Sequence, residues 1–452
     1  MAHSPIPPRT VTSKEGLKSL LSIPLYSNAF YLALDIAVVS LLGFAFWVLA
    51  AKLYTPAQVG LASATIAAVI FLARLSGLGF GYGLIRFLPS AGRKSNALIN
   101  SCFTIAGLTS LVAALVFLAG LNLWSPALLY IRHPIFSISF VLVTVMYTLF
   151  LLIDRVFIAK RSARYVLFKN ATAGLVQIAA VIAFVAFLSA FGIFSSWGLA
   201  ILVALAIGLF QFLSRAQRGY TPVPTVSKET VKGVIRFSLG NYIAELLWFA
   251  PFMLFPLMAI NILGAEINAY FYIAWAIAQM LFAIPMVISY SLFAEGSYKE
   301  DLLQSNTIKA IKLHLLILVP AIVVLLVLGD KLLLFFGRSY AENGATLLRI
   351  LALSVIPVSI NYTYLSVMRV KKNTKGVILV SASVASLALS SGYILMAKVG
   401  ILGLGLGWIA AQTLVAIIVS LLLSPRLRRF SFSNNEAASK IAPKTGQYSP
   451  HS

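Results

Sequence analysis

Three charged residues stand inside long apolar runs. Asp35 lies in LYSNAFYLALDIAVVSLLGFAFW, Arg74 in VGLASATIAAVIFLARLSGLGFGYG and Glu245 in LGNYIAELLWFAPF. A charge at the bilayer centre costs at least about 2.5–3.5 kcal/mol, so such residues face a bundle interior or a hydrated cavity. At about 1.5 Å per residue, each falls roughly 10–12 Å in from the same membrane face. This predicts one layer of mutually paired charge. Arg74 suits an anion, because a guanidinium meets phosphate oxygens in pairs. Asp35 or Glu245 suits uptake of a proton or Na⁺. The structural alternatives are an Asp35–Arg74 ion pair that only locks two helices, and a protonated Glu245 hydrogen-bonded to a neighbour.

Polar and aromatic residues recur at helical spacing beside these charges. Asn28, Tyr31 and Asp35 share one face, as do Asn241, Glu245 and Trp248. A third face carries Asn268, Tyr272, Trp275 and Gln279, followed by Pro285. Asn361, Tyr362 and Tyr364 follow Pro357. Aromatic rings stack on the apolar faces of sugars and amides bond hydroxyls, which suits a saccharide. The competing reading is packing or an interfacial aromatic belt. Pro251 and Pro256 are expected to bend or break their helix. Arg86 reads as an anion contact or as an orientation anchor that snorkels. Gly77, Gly79, Gly81 and Gly83 form overlapping GxxxG pairs, which pack helices closely in membranes.

No enzyme signature is present: no Walker A, no nucleophile elbow and no His/Cys/carboxylate cluster. Cys102 is the one cysteine, which excludes an intramolecular disulfide. His3, His133, His314 and His451 have no metal-ligand spacing. No metal or organic cofactor is expected.

The elements that must position these groups are membrane helices. Apolar residues make up 60% of the chain and charged residues 10%, far below the roughly 25% of soluble proteins. Twelve spans are expected, at about 27–51, 58–82, 97–123, 134–158, 165–190, 194–213, 238–263, 267–293, 306–328, 345–369, 376–398 and 400–423. No cleavable signal peptide precedes them. Most Lys and Arg fall in the even-numbered loops and the two termini, counting Arg155 and Lys169 as loop residues. The opposite loops hold only Lys52, Arg132, Lys331, Arg338, Arg349 and Lys398. Both termini are therefore expected in the cytoplasm, and the formal charge of +23 reads as membrane orientation rather than nucleic-acid binding.

The chain also repeats. Glu15-Gly-Leu-Lys18 with Asn28 matches Glu229-Thr-Val-Lys232 with Asn241, and the turn at Leu53–Gly60 matches Ile262–Ala269. Six spans per half make this a parallel repeat, with substrate expected at the interface of the halves. The expected divisions are a cytoplasmic N-terminus with an amphipathic helix (1–26), a first lobe (27–213), a linker with a second amphipathic helix (214–237), a second lobe (238–424) and a disordered tail (425–452).

The stretch LYTPAQVGLAS…LSGLGFGYGLIRFLP resembles the second-helix region of polysaccharide flippases, which export O-antigen, teichoic acid or other lipid-linked saccharides. They share a superfamily with the multidrug and toxic compound extrusion transporters. The resemblance implies an all-α polytopic fold, with two six-helix lobes around a V-shaped cavity that opens alternately to each side. It implies a lipid-linked oligosaccharide as partner, with its head in the cavity and its prenyl tail in lipid. A cationic residue is expected in the second helix, and Arg74 fits by position. The expected site is Arg74, Arg86, Asn28, Asn241, Tyr272, Trp275 and Gln279 for substrate, with Asp35 and Glu245 for coupling or charge pairing. A monomer in the cell membrane is the family default.

Two other classes are weighed. A cation-coupled drug or metabolite antiporter of the same superfamily would use Asp35 as its first-span acid. A membrane glycan polymerase or ligase would need more external chemistry than GDKLLLFFGRSYAENG supplies.

Overall fold

The computed structural model describes residues 24–186 and 188–441. It is helical throughout, with no strand among the described residues. Among the same residues, twelve helices are long and apolar enough to cross a membrane, and we number them α1 to α12. They are Ser27–Leu53, Pro56–Ser76, Gly92–Ala119, Pro134–Ala159, Arg164–Phe184, Phe191–Ala216, Val231–Leu263, Ala265–Tyr298, Glu300–Leu334, Arg338–Val370, Thr374–Val399 and Ile401–Leu422. The chain is thus an all-α polytopic membrane protein.

The two halves repeat one packing scheme. α1 lies on α5 and α5 on α6, just as α7 lies on α11 and α11 on α12. α3 pairs with α4 as α9 pairs with α10. The halves meet where α2 runs against both α7 and α8.

The turn into α2 explains this seam. Pro56 sets the first helical φ, and Thr55 and Gln58 form a capping box: the Gln58 N–H donates to Thr55 Oγ1 at 3.4 Å and the Thr55 N–H to Gln58 Oε1 at 3.0 Å. One turn later Gly60 lies against the backbone of Ala265, where any side chain would overlap the Ala265 carbonyl oxygen. Asn268 Nδ2 donates across this crossing to the Gly60 carbonyl at 2.8 Å and to Ser63 Oγ at 3.2 Å. At the same end, the Trp47 ring of α1 packs on Tyr272 of α8, with centroids 4.7 Å apart.

Two sequence expectations are revised. The second span is not continuous to residue 82: α2 stops at Ser76, Leu78 (φ 46°) and Gly79 (φ 76°) turn the chain, and a short helix runs from Phe80 to Phe87. Gly79 serves the turn, and Gly79, Gly81 and Gly83 give the close helix approach expected of them, on the short helix rather than on a continuous span. No separate surface helix precedes α7, because one helix runs unbroken over Lys228–Leu263 and on through Pro251 and Pro256. Its first turns bury Val231 and Val234 against the short helix, where Gly83 leaves room for Val234. Beyond α12 the same helix continues to Ile441. The expected N-terminal amphipathic helix at 14–23 and the tail beyond residue 441 lie outside the described residues.

Candidate functional site

The break after α2 places Arg74 in its last turn, next to a tight crossing of the two halves. A methyl group on Gly79 would come within 2.8 Å of Ser238 Cβ, and one on Gly81 within 3.0 Å of the Arg155 side chain. These bare positions let the short helix tuck against α7 and beneath α4. Arg74 then reaches α7. Its Nη1 stands 3.4 Å from Glu245 Oε1, and its guanidinium lies over the Phe249 ring, 4.5 Å from the centroid. Arg155 of α4 approaches the same Glu245 oxygen at 3.9 Å. Tyr242 donates to the Leu75 carbonyl at 2.6 Å and holds the same crossing.

Two adjoining cavities open on this group. The smaller, about 100 Å³, is lined by Arg74, Tyr82, Arg155 and Glu245. The larger, about 430 Å³, shares Tyr82, Arg155 and Glu245 and adds Asn241, Tyr290, Arg369 and Lys372. Among the described residues, Glu245 is the one acid lining them, against four basic side chains. Burial and the nearby Glu245 carboxylate hold the Tyr82 phenol above its usual range, so it stays neutral and can donate to an anion.

A second polar centre lies wholly within the first six helices. Lys169 of α5 is fully buried, with its Nζ 3.1 Å from Asp154 Oδ1 of α4. The same nitrogen donates to Asn170 Oδ1 at 2.8 Å and to the Phe150 carbonyl at 3.4 Å. Asn170 Nδ2 in turn donates to both Asp35 oxygens, at 3.0 and 3.2 Å.

The expected layer is therefore split. Arg74 and Glu245 pair as expected, but Asp35 is bound by Asn170 on α5 instead of by Arg74. Lys169 and Arg155, counted in the sequence as loop cations, lie inside helices. Of the expected substrate residues, Asn241 lines the larger cavity. Arg86 is exposed on the short helix and lines neither cavity. Asn28 accepts from the Ala163 N–H at 2.8 Å and ties α1 to the start of α5. Trp275 is fully buried among Phe252, Phe255, Phe271 and Trp408, so it serves packing rather than sugar contact. Tyr272 packs against Trp47 with the rings tilted, and Gln279 is half-buried on the same helix. Asp154, Lys169, Asn170, Arg369 and Lys372 were missed. The signal available was Asp154-Arg155 and Lys169-Asn170, each lying within an expected span.

No family model matches the sequence, and no curated protein sequence matches it. Solved structures do. An inward-facing multidrug resistance MATE family transporter of the MOP superfamily aligns at 14% identity and TM-score 0.66, over 87% of this chain and 95% of that one. The chain has the MATE transporter fold. An outward-facing conformation of such a transporter aligns at 14% identity and TM-score 0.61, over 93% and 99% of the two chains. A MOP superfamily transporter from Pyrococcus furiosus Vc1 aligns at 13% identity and TM-score 0.62, over 90% and 97%. In that transporter a reverse polarity of the binding pocket suggests a different function.

Proposed function

We propose that the chain is an alternating-access transporter: a cation-coupled antiporter whose cargo carries an anionic group. The observation that carries this reading is the Arg74–Glu245 pair. It joins α2 to α7, and so one half of the bundle to the other, within a cavity that is otherwise basic. An anion entering there competes with Glu245 for Arg74 and Arg155. Its binding energy then goes into releasing a contact between the halves, which is what a ligand must do to shift a two-state equilibrium. The MATE likeness supports the antiporter reading, and the neighbour with reversed pocket polarity supports pocket charge as the property that separates functions on this fold. Asp35, inside the first half, is the carboxylate for proton coupling.

A second reading is the flippase for lipid-linked oligosaccharide. An apolar groove of about 990 Å³, lined by Leu75, Phe117, Leu254 and Leu389, runs between the halves and suits a prenyl chain beside a phosphate held at Arg74.

Purified protein in liposomes separates the two. Uptake of anionic dyes driven by a proton gradient, and lost in Arg74→Ala, supports the antiporter. Arg74-dependent movement of a fluorescent prenyl-pyrophosphate oligosaccharide, read by an external quencher, supports the flippase. Efflux of cationic dyes that does not depend on Arg74 would overturn the anionic cargo.

A further inference from the structure

We propose that Lys169 is a tethered cation: its ammonium permanently fills an oxygen cage that would otherwise admit Na⁺ or K⁺. The cage is built from three helices. α4 supplies Asp154 Oδ1 and the Phe150 carbonyl, and α5 supplies Asn170 Oδ1. α1 supplies Asp35, which fixes the Asn170 amide by accepting from its nitrogen, so that the amide oxygen points at the ammonium. These are the hard oxygen donors that alkali and alkaline-earth cations use.

The ammonium donates two hydrogen bonds, to Asn170 Oδ1 and the Phe150 carbonyl, and its third oxygen neighbour is the ion-paired Asp154 carboxylate at 3.1 Å. The Phe150 ring closes a further side, with its centroid 2.8 Å from Nζ. The Lys169 side chain is fully buried and the Asp154 side chain is only 16% exposed. The cage therefore has its charge already inside it.

The fold makes room for this lysine in particular. α6 carries a π-helical turn at Ile207–Phe212, a feature often found at functional sites. Gly208 in that turn faces the lysine stem, where a methyl group would come within 3.2 Å of Lys169 Cδ and of Ile153 Cδ1. The charged groups around the cage are Asp35 on α1, and Asp154 with the adjacent Arg155 on α4. Both carboxylates feel the buried Lys169 ammonium, while Arg155, next to Asp154 in the chain, approaches Glu245.

The consequence is specific. Alkali cations do not bind the first half of this chain, and removing the lysine without filling its volume creates such a site. The inference does not depend on the proposed cargo, because the test reads ion binding and not transport. Full-length protein in detergent is melted in NaCl, KCl or choline chloride at equal ionic strength. The wild type is expected to give the same midpoint in all three. Lys169→Ala, with the cage emptied and both carboxylates in place, is expected to gain several degrees in Na⁺ or K⁺ over choline, saturably. Lys169→Met loses the same charge but refills the volume, and is expected to show no such gain. A wild type stabilised by Na⁺ or K⁺, with the effect lost in Asp154→Asn, overturns the proposal, and this arm needs no lysine variant to fold. A folded Lys169→Ala indifferent to both ions also overturns it.

Discussion

Glu245 and Arg74 face each other from α7 and α2, Oε1 to Nη1 at 3.4 Å, and Arg155 of α4 shares the same carboxylate. The Arg74 and Glu245 side chains are 28% and 24% exposed, which places the pair between surface pairs worth about 0–1 kcal/mol and buried ones whose disruption costs about 3–5 kcal/mol. Glu245→Gln is expected to cost about 1–2 kcal/mol by thermal or denaturant unfolding. It leaves two arginines facing the cavity unneutralised, so anion affinity should rise about tenfold while turnover falls. Anion-dependent quenching of tryptophan fluorescence checks the first effect and liposome transport the second. Weaker anion binding in Glu245→Gln would contradict the competition.

Gly60 tests the seam between the halves. A side chain there meets the Ala265 backbone, which cannot rotate away. Gly60→Val is expected to destabilise the protein by at least about 1–3 kcal/mol, the usual penalty of overpacking. Gly43 is open by contrast: a methyl group added to it would meet nothing within 4 Å. Gly43→Ala should therefore leave the melting midpoint unchanged or raise it slightly. Equal effects of the two substitutions would remove Gly60 from its place as the crossing point.

Asn170 tests the relay between Asp35 and Lys169. Asn170→Leu leaves Asp35 without its two hydrogen bonds and Lys169 without one acceptor. Losing hydrogen bonds to buried charged groups costs about 1.5–3 kcal/mol each, so a loss of several kcal/mol is expected. Asn170→Asp restores an acceptor for the lysine but sets a like charge beside Asp35, and should fall between the wild type and Asn170→Leu. Circular-dichroism melts rank the three.

Orientation is tested by labelling. Cys102 is fully buried and should not react with a membrane-impermeant maleimide in intact cells. In a Cys102→Ala background, Arg338→Cys at the exposed start of α10 should label from outside the cell. Ser90→Cys, exposed in the loop after the short helix, should label only after the membrane is opened. The reverse pattern would invert the topology read from the lysines and arginines.

The candidate site was partly legible. Arg74, Glu245 and Asn241 were visible because an ionisable residue, or an amide on its face, inside an apolar run is an anomaly that one segment displays by itself. Lys169 and Arg155 were misread because a cation near a span end has two outcomes, snorkelling to the surface or turning inward. The choice depends on whether a neighbouring helix offers oxygens. Asp154 offers one to Lys169, and Glu245 approaches Arg155. Trp275 went the other way: its helical spacing with Tyr272 suggested a sugar face, but the rotation of α8 turns it into an aromatic core.

What the sequence by itself determined was the class of the protein, its twelve spans and its internal repeat. Each rests on hydrophobicity and polar signatures read within a run of about 20 residues, the length needed to cross the hydrocarbon core. Tertiary structure alone decided which charges meet. Asp35 and Asn170 are 135 residues apart, and Arg74 and Glu245 are 171 apart. Their pairing depends on how each helix is rotated and where bare backbone at Gly60, Gly79 and Gly81 lets helices approach. Those are relations between segments, and no single segment carries them.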